Sequence, residues 1–196
     1  MESLQGGKDL TGYKVRAVRR GSFRVRGYSI VAPPGRKGEA EIPRLWDAVI
    51  SDGRLAKLRT AAGVSTSVLG LGSWDPECPK GGQRYTICIE ETDRTDFGPL
   101  AEAEGLFSKT IGASEWLCFE TVHGEQYPGS FWKDDPYKMM CRLGYGFHTA
   151  PDDYSVGLHF ELYPPDFSFG EGTNKAMEFW ITVVRSSPAQ SGPRGG

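Results

Sequence analysis

Cysteine and histidine are scarce in this chain, and they are badly spaced for metal. The four cysteines, Cys78, Cys88, Cys118 and Cys141, form no CxxC pair, and His123, His148 and His159 show no ligand spacing with them or with each other. That pattern argues against a structural zinc site, and no metal or other cofactor is expected. Cys88, Cys118 and Cys141 have apolar neighbours, so they read as small buried hydrophobes in a reducing compartment, and a cytoplasmic protein is expected. No run approaches the roughly 18 apolar residues of a membrane span, and no signal-peptide pattern is present. The formal net charge is only −2, which leaves no global field to draw the chain to nucleic acid or membrane. Neither a GxSxG nucleophile turn nor a GxxxxGK phosphate loop occurs.

What is present is hydrophobic periodicity. Residues 1–21 are polar and crowded with Lys8, Lys14, Arg16, Arg19 and Arg20, which reads as a basic, partly flexible arm. The ordered domain is expected over 22–185, and 186–196 has the composition of a disordered tail. Residues 23–31 are strand-like and end at Pro33-Pro34. Ile42, Leu45, Trp46, Val49 and Ile50 recur at helical spacing, which predicts an amphipathic helix over 39–60, with Pro43 in its first turn and a break at Gly53. This stripe places Trp46 in the core. Strands follow at 66–74, thinned by Gly70 and Gly72, and at 84–91.

After a polar linker over 92–105 the pattern starts again. Residues 114–123 read as a strand, 130–143 as a helix interrupted by Pro136, and 154–163 and 177–184 as strands; 106–112 adds a further short strand. The order strand–helix–strand–strand thus occurs twice, as a repeat of architecture rather than of letters. The expected fold is α+β: two pseudo-symmetric modules forming one antiparallel sheet, helices on one face, and a ligand cleft on the axis between the modules.

The last strand carries the most suggestive pattern. Met177, Phe179, Ile181 and Val183 alternate with Glu178, Trp180 and Thr182. If the second face lines the cleft, Glu178 is a carboxylate in an aromatic box, suited to a cationic aromatic ligand. On the neighbouring strand His159 and Glu161 share a face. Trp116, Trp132, Tyr28, Tyr85 and Tyr163 are further candidates for pocket walls.

Five short motifs in order resemble the GyrI-like small-molecule-binding domains, which also serve as effector-binding domains of AraC- and MerR-type regulators. These are Ile42-Pro43-Arg44-Leu45-Trp46, the strand 84–91, the stretch 116–124 with Tyr127-Pro128 after it, His159-Phe160-Glu161-Leu162-Tyr163, and 177–183. The resemblance covers roughly 22–185. It implies a stand-alone member, monomer or weak homodimer, that binds an amphipathic, cationic aromatic drug or toxin as a multidrug sensor or sequestering protein, without direct DNA binding. It also implies Glu178 as the pocket's acid. The alternative is a hydrolase that detoxifies cyclopropanoid DNA-alkylating compounds by adding water, with Glu178 catalytic. A further alternative is a gyrase-inhibitor-like partner of a macromolecule, engaged through the basic arm.

Overall fold

A computed structural model of the chain describes residues 2–4, 12–63, 65–149, 153–169 and 175–186. Its elements, in order, are β1 (Glu2–Leu4), β2 (Lys14–Arg20), β3 (Phe23–Ala32), α1 (Arg36–Ser51), α2 (Arg54–Ala62), β4 (Val68–Ser73), β5 (Gln83–Glu91), α3 (Gly98–Glu104), β6 (Phe107–Ile111), β7 (Ser114–His123), α4 (Gly129–Lys133), α5 (Pro136–Arg142), β8 (Tyr145–Phe147), β9 (His159–Tyr163) and β10 (Lys175–Arg185). The strands form one antiparallel sheet in the order β1-β2-β7-β10-β9-β4-β5-β3-β6, with β8 pairing to β10. The two modules are β3–α1–α2–β4–β5 and β7–α4–α5–β9–β10. They meet where β4 pairs β9, so the repeat axis passes between these two strands.

The sheet is curled. β2 and β3 are separated in the chain only by Gly21 and Ser22, yet β7, β10, β9, β4 and β5 lie between them in the sheet. The helix-free face therefore closes on itself. Phe23 of β3 comes within 6.4 Å, ring to ring, of both Trp116 on β7 and Phe160 on β9. Val18, Leu71, Trp116, Phe160 and Trp180 form an apolar cluster inside this curl. A separate, larger core fills the other face, where Leu58, Ile87, Phe119, Phe131 and Phe179 pack beneath the helices.

Several boundaries differ from the sequence expectation. Residues 14–20, placed in the basic arm, form β2, because Val15 and Val18 bury their side chains while β7 supplies the hydrogen-bonding partner. Three of the four basic residues there meet carboxylates, and the fourth, Arg19, is exposed. Arg16 pairs with Glu178 at 2.7 Å, Arg20 with Glu90 at 2.7 Å, and Lys14 with Glu120 at 3.7 Å. Lys14 and Arg19 remain exposed on β2, while Arg16 and Arg20 are taken up in ion pairs; the rest of the arm, 5–11, lies outside the described residues. α1 begins at Arg36, so Pro43 sits inside the helix rather than in its first turn, and Gly53, at φ 79°, separates α1 from α2. The linker holds α3. β9 begins only at His159, since Asp153 Oδ1 accepts from the Ser155 amide and hydroxyl and Gly157 takes φ 72°, a turn the alternating side chains do not reveal. Of the expected tail, 187–196 lies outside the described residues.

Candidate functional site

A cavity of about 890 Å³ opens on the helix-covered side of the β4–β9 junction. β9 turns His159, Glu161 and Tyr163 towards it and buries Phe160 in the curl behind, because successive side chains of a strand point to opposite faces. β5 contributes Tyr85 and Gln83. α1 lays Ile42, Trp46 and Ile50 along one side, the same stripe that the sequence assigns to the core. His123 at the end of β7 and Tyr127 and Pro128 in the turn after it join the lining, and the two short helices that follow add Trp132 and Tyr137.

At the floor is Glu161, 6% exposed. Its Oε1 accepts from the Tyr127 hydroxyl, and its Oε2 accepts from Tyr85 at 2.5 Å and Tyr163 at 3.1 Å. Trp46 Nε1 donates to the Tyr85 hydroxyl at 2.9 Å, which leaves the Tyr85 proton free to point at the carboxylate. Burial pushes the Glu161 carboxyl up from its ordinary value, while the three tyrosine hydrogen bonds act in the opposite sense; no cationic side chain among the described residues takes part. The three phenols are themselves held well above 10, first by burial and then by the charge of Glu161, so they stay protonated as donors.

Beside Glu161 lies His159. Its Nδ1 is 3.2 Å from the Tyr137 hydroxyl, and its ring stacks on Phe179 at 5.3 Å. Burial lowers its pKa to about 4, so the imidazole is neutral near pH 7. Trp74 meets the same ring edge-on at 5.6 Å. Its loop is tied down by Asp75, which accepts from Arg84 Nε at 2.7 Å. The loop after β4 thus holds Trp74 as a cavity wall.

Room for these two polar side chains comes from β4. Gly70 pairs with Glu161 and Gly72 with His159. A Cβ at Gly70 would collide with Glu161 Oε2 and the Tyr85 hydroxyl, and one at Gly72 with the His159 ring. Glycine at alternate positions of a strand is the sequence signature of such a close approach. Gly70→Ala should therefore part Tyr85 from Glu161 and weaken ligand binding by about tenfold, the scale of one lost buried hydrogen bond to a charged group. Circular dichroism would confirm that the sheet persists. On strand propensity alone the same change gains about 0.5–1 kcal/mol, so unchanged affinity with raised stability would show that the floor does not need the glycine.

Of the residues singled out in the sequence, Glu161, His159, Tyr163, Tyr85 and Trp132 come together here. Glu178, Trp180 and Trp116 do not. In the β9–β10 register Glu178 stands opposite Leu162 and Phe179 opposite Glu161, so the two carboxylates lie on opposite faces of the sheet. Glu178 accepts from Arg16 Nη2 and from Trp180 Nε1, both at 2.7 Å. Trp180 and Trp116 belong to the cluster inside the curl. The catalytic role expected of Glu178 in the hydrolase alternative loses its footing with that position. Tyr28 is on the helix-covered face but away from the cavity, its hydroxyl donating to Glu104. Trp46, Trp74, Tyr127, Tyr137, His123, Phe167 and Phe169 are among the lining residues that sequence reasoning missed. Among the described residues no cluster of His, Cys, Asp or Glu could hold a metal ion, and no helix is long and apolar enough to cross a membrane.

No protein-family model matches the chain, and no curated protein sequence matches it. Solved structures do. SAV2435, solved bound to tetraphenylphosphonium, superposes with a TM-score of 0.63 at 18% identity, over 88% of this chain and 93% of that one. The chain has a GyrI-like fold. A putative bacterial transcription regulation protein from Staphylococcus aureus shares this GyrI-like fold, with a TM-score of 0.58 at 18% identity over 87% of this chain and 97% of that one. At such identities the likeness is one of fold, and the chemistry of the site rests on the residues of this chain.

Proposed function

We propose that this GyrI-like chain binds lipophilic aromatic cations in the cavity, with Glu161 as their counter-charge, and serves as a multidrug sensor or sequestering protein. The observation that carries the reading is a buried carboxylate held by three phenols, with no cationic partner among the described residues, at the floor of an aromatic-walled cavity. A buried charge left uncompensated is costly, by several kcal/mol, and a cationic ligand supplies the missing partner. Trp46, Trp74, Trp132 and the tyrosines offer π faces worth about 0.5–2 kcal/mol per cation contact. A volume of about 890 Å³ accommodates several fused or linked rings. Glu39 and Asp47 of α1 stand at the exposed rim, so among the described residues every charged residue of the lining other than histidine is acidic. SAV2435, a protein of the same fold, has been solved with one such cation.

The test is a fluorescence titration with rhodamine 6G and with a neutral dye of similar ring size. Glu161→Gln should weaken rhodamine by about tenfold to a hundredfold, or about 1.4–2.8 kcal/mol, and leave the neutral dye unaffected. Glu178→Gln should leave both unaffected, because its side chain lies on the other face of the sheet. The reverse pattern, with Glu178 decisive and Glu161 silent, would refute the assignment.

A further inference from the structure

The Glu161 carboxyl is crowded by hydrogen-bond partners that are all neutral. These are Tyr85 from β5, Tyr163 from β9 itself and Tyr127 from the turn after β7, while His159 of β9 and His123 at the end of β7 line the same cavity without bonding to the carboxyl. From α1 comes Trp46, acting through Tyr85, with Glu39 and Asp47 further out at the rim; from α5 comes Tyr137, engaged with His159. β10 places Phe179 opposite it and β4 a bare glycine. Nothing positive among the described residues balances an ionised Glu161. The geometry also provides for the neutral form. A phenol oxygen accepts as well as donates, and the Tyr163 contact, at 3.1 Å, is the longest of the three. If that bond reverses, a carboxyl proton on Oε2 has an acceptor in Tyr163 while Tyr85 and Tyr127 continue to donate.

We propose that a proton and a lipophilic cation are alternative occupants of Glu161: the empty cavity holds the neutral acid, and the cation enters as that proton leaves for solvent. This rests on the binding reading above and adds a linkage to it. The charge inside the cavity is the same before and after exchange, so neither state leaves a bare carboxylate in apolar surroundings. Burial raising the Glu161 carboxyl above its ordinary range is consistent with this. Four of the neighbours stay neutral above pH 5. His159 titrates at about 4, and the three tyrosines stay protonated throughout. His123, lowered by burial, is the one other cavity imidazole that changes charge in the acid range, and it is retained in Glu161→Gln as an internal baseline.

The experiment is calorimetric titration of tetraphenylphosphonium, which has no proton of its own, into the full chain between pH 5 and 9. Each pH is run in two buffers of different ionisation enthalpy. On the acid side, up to about one proton should be released per cation bound, with affinity rising by up to about tenfold per pH unit; both effects should fade once the carboxyl is already ionised. Glu161→Gln should bind more weakly and release no proton beyond the His123 baseline. Tight binding with no proton release at any pH would overturn the exchange and leave the binding reading standing. No binding at any pH would overturn both. As a check independent of ligand, the Glu161 carboxyl carbon, assigned in 13C NMR by its loss in Glu161→Gln, should titrate above the other glutamates in the free protein; a signal already ionised at pH 5 would equally refute the exchange.

Discussion

Trp116→Ala is expected to lower the unfolding free energy by about 3–5 kcal/mol, the range for deleting a large aromatic side chain from a core. Trp116 has no exposed surface. It packs on Phe160 at 4.8 Å, Trp180 at 6.2 Å and Phe23 at 6.4 Å, and so joins strands from both ends of the sheet. Removing it empties the place where the curl closes, and flanking strands cannot collapse into the gap without uncurling. Affinity of the folded fraction for a cavity ligand should be unchanged, since the cavity is on the other face. Trp116→Phe should cost far less than the alanine change. The indole Nε1 is buried without a hydrogen-bond partner, so its loss strands nothing. Denaturant melts of the two variants, each with a dye titration, decide the matter: a small effect of the alanine variant on stability, or a large one on binding, would mean that the two faces are not separate cores.

Acid is expected to act through His159. Its pKa falls from 6.5 to about 4 because burial penalises the charged ring. Between those two values the unfolded chain takes up a proton that the folded protein refuses, so stability declines as pH falls through this window and levels off below it. At about 1.4 kcal/mol per unit, the decline attributable to this residue is about 3 kcal/mol. Glu161 works the other way: its carboxyl is raised on folding, so its contribution favours the folded state in acid and is lost as pH rises through the folded value. The net profile of the wild type therefore understates His159. The difference between wild type and His159→Gln, measured by urea unfolding from pH 7 to pH 4, isolates it, because glutamine keeps a partner for Tyr137 without a titrating group. Parallel profiles would show that the ring gains a proton in the fold as readily as outside it.

Much of the fold was legible because its elements obey local rules. The stripe from Ile42 to Ile50 marks a helix wherever it packs. Gly53 and Pro136 break helices by backbone chemistry alone. The strand–helix–strand–strand repeat, the antiparallel sheet and the helices on a single face follow from these periods. β2 escaped because its charged side chains read as a solvated arm. Only the carboxylates of β7, β5 and β10, supplied from distant parts of the sequence, turn those charges into ion pairs along a sheet.

The site divides in the same way. The alternation in β9 and in β10 determined that each strand has two faces and which residues share them: His159 with Glu161 and Tyr163, Glu178 with Trp180. What alternation cannot state is which face of either strand meets the cavity, because both faces of this sheet are buried. The tertiary structure decided that through register and curl. Antiparallel pairing set Glu178 opposite Leu162 and Glu161 opposite Phe179, and the curl of the sheet left Glu178 on the helix-free face, ion-paired with Arg16, and turned Glu161 into the cavity. A carboxylate beside a tryptophan in the last strand and one between apolar residues in the strand before look alike in sequence. They differ in which side of the sheet the helices cover, and that is a property of the whole chain.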